Sequence, residues 1–285
     1  MPLPQACRLF VLIARQAPVA VIFRHGPKKQ TRVIRWDMAT DRFEGGQWFK
    51  GSLYDRFADL SPSGDYMIYF ANKHNGDPEC WTAISKPPYL AALAFWPMTH
   101  SPAGGGIMDN DLSVRLNHLT TEQTLGKGFK LRKGMTVSLR QRQDRWGGDL
   151  FVELLGLNGW TAQGEVPLPS SRRRTANVFE KISTAGARLR MMLIRQVDNS
   201  ERRERVDYHV GGPGGDTWLF LPNLDWADWD RNGDLLFARQ GRLYRCPAEA
   251  VGPDATRQSL CLADFNAMRF EAIKPPPAAC LWPYD

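Results

Sequence analysis

Long apolar runs are missing from this 285-residue chain. No window approaches the roughly 20 apolar residues that span a bilayer as a helix. The run from Leu9 to Ala14 is too short for a secretory core, with no basic leader before it and no small-residue cleavage site after it. Cysteine is sparse: five residues, odd in number, without any Cys-x-x-Cys spacing, each in or beside an apolar segment. That pattern argues against a disulfide framework and a zinc site, and the expected location is the cytoplasm. Local catalytic signatures are also lacking. There is no G-x-S-x-G, no H-E-x-x-H, no phosphate loop ending in Gly-Lys-Ser/Thr and no G-x-G-x-x-G between a strand and a helix. No cofactor is implied, although an active site gathered from several repeats would leave no local motif. His25, His74, His100, His118 and His209 never recur at a ligand spacing. The glycine groups at 104–106 and 211–215 lead into no helix and read as strand connections.

What the chain does have is tryptophan, ten residues of it, with 25 glycines and 20 prolines. Large aromatics favour packed strands, and Gly and Pro punctuate turns, so many short strands are expected. One segment recurs: ADLSPSGDYM at 58–67 and ADWDRNGDLL at 227–236 share Ala, Asp, Gly and Asp in register, 169 residues apart. Upstream, VAVIFRH, RVIRWD and GGQWFKG before the first copy parallel LRMMLIR, RVDYHV and GGDTWLFL before the second; downstream, CWTAISKP and LAALAFW parallel GRLYRCP and SLCLADF. Turn-centred segments near Ala17, Gly64, Asp109 to Asp111, Trp146 to Asp149, Gly186 and Gly233 make six candidate hairpins at a mean step of about 43 residues, within the period of propeller blades. Helices are expected only as short connections, at Thr120 to Gln123 and Pro247 to Val251.

The stretch LSPSGDYMIYFANK resembles the strand, turn and strand of TolB-like and WD-repeat β-propellers, in which a small or acidic residue, Pro and Gly turn the chain between two inner strands. The resemblance implies an all-β fold, a single β-propeller domain over residues 1–285 built of four-stranded antiparallel blades. Six blades are expected, with five as the alternative. It implies no particular activity, because propellers do many unrelated things.

Charge is uneven. The net charge is +7, yet Lys127 to Arg205 holds 17 Lys/Arg against 8 Asp/Glu, so the positive excess lies in the middle third. Arg172, Arg173 and Arg174 are predicted in a loop, and Arg140 with Arg142, like Arg188 with Arg190, at alternate strand positions that project from one face. Such a field suits an acidic protein or the phosphates of a nucleic acid, or it is a solvated face paired with Glu201 and Glu204. Asp228, Asp230, Asn232 and Gly233 match positions 1, 3, 5 and 6 of a calcium loop, but position 12 is Arg239. The equivalent first copy has Ser61, Pro62, Ser63 and Gly64, which keeps the turn and drops the carboxylates. A turn is therefore the reading that explains more.

The leading functional expectation is a non-catalytic propeller that binds another macromolecule, a protein before a nucleic acid, with no membrane partner. The alternative is a hydrolase or lyase whose central-channel site uses Asp59 and Asp228 as acid and base, against which stands their use as turn anchors.

Overall fold

The computed structural model describes residues 7–26, 29–98, 103–121, 123–141, 149–168, 171–198, 201–215, 217–252 and 255–283; for 149, 171–174, 195–198 and 201–204 it describes the backbone alone. The fold is all-β. Five sheets succeed one another along the chain, and within each the order in the sheet is the order in the sequence. No helix among the described residues is long and apolar enough to cross a membrane.

The chain divides into two compact units, one of residues 1–5, 10–154 and 268–285, the other of residues 6–9 and 155–267. The first unit carries three sheets. Sheet A is β1 (Arg8–Ile13, apart from its first two residues), β2 (Val19–His25), β3 (Gln30–Asp37) and β4 (Arg42–Lys50); sheet B is β5 (Ser52–Leu60), β6 (Met67–Asn72), β7 (Cys80–Ser85) and β8 (Ala94–Met98). Sheet C is β9 (Gly106–Asn110), β10 (Ser113–Leu116) and β11 (Thr136–Leu139), the last pair running parallel.

Sheet B is buried on both faces. Met67, Tyr69 and Ala83 pack with Val21, Phe23 and Val33 of sheet A, while the alternate residues Ile68, Ile84 and Trp96 pack with Met108, Val114 and Leu116 of sheet C. This is why MIYFAN reads as an unbroken apolar run rather than as alternation. A strap after residue 266 crosses this unit. Gln47 donates to the Ile273 carbonyl, Lys86 to those of Ala278 and Leu281, and Trp282 inserts among Tyr66, Ile68 and Met135, its Nε1 3.0 Å from the Lys130 carbonyl.

The second unit holds sheet D, of β12 (Thr161–Leu168), β13 (Ser171–Ile182), β14 (Arg188–Asp198), β15 (Glu201–Gly211) and β16 (Leu219–Leu221), and sheet E, of β17 (Trp226–Trp229), β18 (Leu235–Arg239), β19 (Arg242–Cys246) and β20 (Leu260–Asp264). One face of sheet D buries Leu189, Met191, Tyr208 and Val210. Trp229 donates from Nε1 to the Lys181 carbonyl at 3.1 Å, which joins sheet E to sheet D.

Five of the six expected hairpins form, between β1 and β2, β5 and β6, β9 and β10, β13 and β14, and β17 and β18. At the sixth position Asp149 opens α1 (Asp149–Leu157), and the rest of that expected turn lies outside the described residues. The turns are unequally spaced: 47 residues from Ala17 to Gly64, 46 from Gly64 to Asn110, 76 from Asn110 to Gly186 and 47 from Gly186 to Gly233. The expected mean step of about 43 comes from dividing this span into five; the span holds three regular intervals and one long one, which contains α1 and the additional strand β12. The pairing of the two long sequence copies does hold at the level of strands, since β5 to β8 and β17 to β20 occupy the same places in sheets B and E. The glycine pair of GGQWFKG, Gly45 and Gly46, lies inside β4, where a Cβ on Gly46 would come 2.0 Å from the Pro88 carbonyl oxygen.

Candidate functional site

Asp59 and Asp228 hold the same hairpin position, second from the turn, opposite Ile68 and Leu236. Each meets a cation from the preceding sheet of its own unit. Arg15 donates from Nη1 and Nη2 to both Asp59 oxygens at 3.0 to 3.3 Å, and the Met108 amide of sheet C adds a third donor at 2.9 Å. Burial pushes the Asp59 carboxyl above its usual range, against the pull of Arg15 and of the Met108 and Leu60 amides. Asp228 accepts from Lys181 Nζ at 2.6 Å and from the Trp229 amide at 2.7 Å. Lys181 is itself second from the turn of the β13–β14 hairpin. Each aspartate is thus held by a cation and a backbone amide, as a pin between neighbouring sheets is.

The calcium-like loop is built as a turn. Asp230 accepts the amides of Asn232 and Asp234 at 2.8 and 2.9 Å, Asp234 accepts the Ala248 amide, and Asp228 faces Lys181. The side-chain oxygens of Asp228 and Asp230 therefore meet different partners, and among the described residues no three metal-ligating side chains gather. Gly233 takes φ +88° beside Thr184, a backbone state that favours glycine.

The basic residues separate into three environments. Arg140 does not project from a face: it follows β11, is 5% exposed, and donates from Nε to Glu153 and from Nη1 to Asn117, because α1 brings Glu153 over it. Arg142 lies outside the described residues. Arg172, Arg173 and Arg174 are in strand β13 rather than in a loop, within the register break between Ser171, which faces Leu168, and Thr175, which faces Pro167. Since Ala176 faces Ile194, and Arg195, Gln196 and Val197 face Glu204, Arg203 and Arg202, the register gathers residues 172–174, Arg195, Arg202, Arg203 and Arg205 at one end of sheet D, with Asp198, Glu201 and Glu204 among them.

Arg188 and Arg190 do share a face. Two rows of side chains cross it: Ile182, Arg188 and Gly211, then Glu180, Arg190, His209 and Phe220. Trp218 lies over this corner, its ring centroid 4.6 Å from the Arg188 guanidinium carbon and 3.8 Å from that of Arg190. Gly211 gives the ring its seat, since a Cβ there would come 3.4 Å from Trp218 Cε3 and 3.1 Å from the Thr217 carbonyl.

No protein-family model matches the chain, and no curated protein matches it in sequence. Its function has to be read from these surfaces.

The two arginines on Trp218 differ. Arg190 is paired to Glu180 Oε1 at 2.6 and 2.8 Å, whereas among the described residues Arg188 donates only to the Gly212 carbonyl, at 3.4 Å, and its solvent-shielded Nη2 has no hydrogen-bond partner. Beside them, burial lowers the proton affinity of His209, whose Nδ1 is unpartnered and whose ring lies 5.3 Å from that of Phe220. Phe220 and Ile182 remain 47% and 66% exposed.

The surroundings of three groups leave no trace in the sequence. Asp225 is largely buried with an unpartnered Oδ2, and burial pushes its carboxyl up to about 6. His25 stands between Thr31 Oγ1 and Asp55 Oδ2, at 3.0 and 3.1 Å. His118 Nε2 lies 2.7 Å from Thr82 Oγ1, which accepts the Gly105 amide. The partners of the two histidines are 6 to 36 residues away in sequence, and the groups that act on Asp225, Arg8 and Leu9, lie much further, none at a motif spacing. Trp218 carried one legible signal, its place after a Gly-Gly turn.

Proposed function

We propose that this chain is a five-bladed, non-catalytic β-propeller of the cytoplasm that docks an acidic protein partner on the basic end of sheet D. The observation that carries the reading is the register of β13, β14 and β15, which collects seven arginines against three acids at one sheet end. A rigid sheet that presents concentrated charge steers an oppositely charged partner and fixes its orientation. Support for the propeller comes from five consecutive sheets with matching hairpins, three of the four steps between them being 46 or 47 residues. Five thiols free of disulfides suit a reducing compartment. The ion pairs of Asp59 and Asp228 favour the binding reading over acid–base catalysis.

The test is titration with a labelled polyglutamate peptide and, in parallel, with a single-stranded oligonucleotide. Reversal of Arg172, Arg173 and Arg174 to Glu is expected to weaken peptide binding about tenfold or more, with a marked loss at raised salt. Binding indifferent to both changes overturns the electrostatic reading, and a preference for the oligonucleotide replaces the acidic protein with a nucleic acid.

A further inference from the structure

The outward face of sheet D contains a matched pair that differs in one respect. Both Arg188 and Arg190 lie against Trp218, but only Arg190 has a carboxylate, that of Glu180. Arg188 keeps a shielded N–H without an acceptor. Its guanidinium charge thus has no carboxylate partner among the described residues, and an incoming carboxylate supplies one in a charge-assisted bond to the solvent-facing side of the half-exposed guanidinium. Apolar surface flanks it on both sides, Ile182 in the same row and Phe220 in the next. Along β15 the same face runs through His209 and Asp207 to Arg205, so it is continuous with the basic end of the sheet.

We propose that this corner, formed by Arg188, Trp218, Phe220 and Ile182, is the docking site for an acidic segment of the protein partner. One carboxylate of the segment pairs with Arg188, as Glu180 does with Arg190, and a neighbouring aliphatic or aromatic side chain covers Phe220 and Ile182. This rests on the basic-end reading above and adds to it the kind of segment recognised. Charge alone attracts an acidic chain; the Trp-backed guanidinium beside exposed Phe220 and Ile182 selects one that alternates acidic and apolar residues. Stacking fixes the guanidinium plane in advance, which lowers the ordering cost of binding.

The experiment compares two labelled peptides of equal length, one of alternating Glu and Leu, the other all Glu, by fluorescence anisotropy with the full chain. The alternating peptide is expected to bind more tightly. Arg188→Gln is expected to weaken it about tenfold or more, in line with loss of a central anchor. Phe220→Ser, at an exposed position that leaves the core intact, is expected to weaken the alternating peptide and leave the all-Glu peptide unchanged. Thermal melts of both variants check that the sheet is retained. If both variants bind the alternating peptide as the parent does, the site is not here, and the basic-end reading stands alone provided that charge reversal at Arg172 to Arg174 still weakens binding. If neither peptide binds the parent chain, both readings fall together.

Discussion

The hairpin of sheet B and the hairpin of sheet E place an aspartate at the same position and surround it differently. Asp59 is gripped by a two-nitrogen arginine fork and by an amide from the next sheet, and its side chain is 4% exposed; Asp228 meets a single lysine ammonium and stays 12% exposed. The first site links three sheets, the second two. The recurrence of an aspartate therefore marks a structural requirement, a pin between neighbouring sheets, and its cation comes from wherever the preceding sheet can supply one. Arg15 reaches in from the β1–β2 turn, while Lys181 comes from the matching strand position.

The comparison breaks first at Asp59. Asp59→Ala leaves the Met108 amide without its acceptor and Arg15 with only the Met108 carbonyl, and it should cost about 4 kcal/mol in chemical denaturation, the penalty of a largely buried charge without its counter-ion. Asp228→Ala should cost about half as much, roughly 2 kcal/mol, because Lys181 can turn its ammonium to water. An equal loss at the two sites would mean that the number of sheets joined is irrelevant. Arg15→Lys sharpens the point: it keeps the charge and loses the fork, with an expected cost of about 1.5 kcal/mol in the same assay.

The smallest effect belongs to Asp225, a buried acid whose nearest opposing charge, on Arg8, does not offset its burial. Its carboxyl titrates at about 6 in the folded chain and near 3.9 in an unfolded one. The folded state therefore holds the proton more tightly. The contribution of this group to stability is greatest below about pH 4, declines as pH rises to about 6, and is level above that. Asp225→Asn should remove this slope and raise stability at neutral pH by about 1 kcal/mol, a figure reduced for partial solvent screening. A slope that survives in the variant would assign it to another group, with Asp59 the next to examine.

The sequence made the hairpins visible because turn chemistry is local. Pro62-Ser63-Gly64 and Asn232-Gly233 announce themselves, and the strands on either side are bounded by them. It hid α1 because DLFVELLGL is a short apolar run that suits a strand equally well; only its contacts reveal the helical spacing, with Leu150 and Leu154 buried and Val152 exposed. That misreading had a second consequence. With α1 taken for a hairpin, the long interval before sheet D divided into two ordinary ones, and Glu153, the partner of Arg140, could not be anticipated. The chemical difference between Arg188 and Arg190 is likewise absent from their spacing. It depends on Glu180 opposite one of them, and on Ile182 opposite the other.

The way the two units share the chain also bears on how they are made. Residues 268–285 belong with the unit that contains residues 10–154, whereas residues 6–9 belong with the unit that contains residues 155–267. The core between sheets B and C is completed only by Trp282, which fills the gap between Tyr66 and Met135 from a distant part of the chain. Cutting the gene between codons 154 and 155 would release two fragments, each lacking a piece of itself that the other carries.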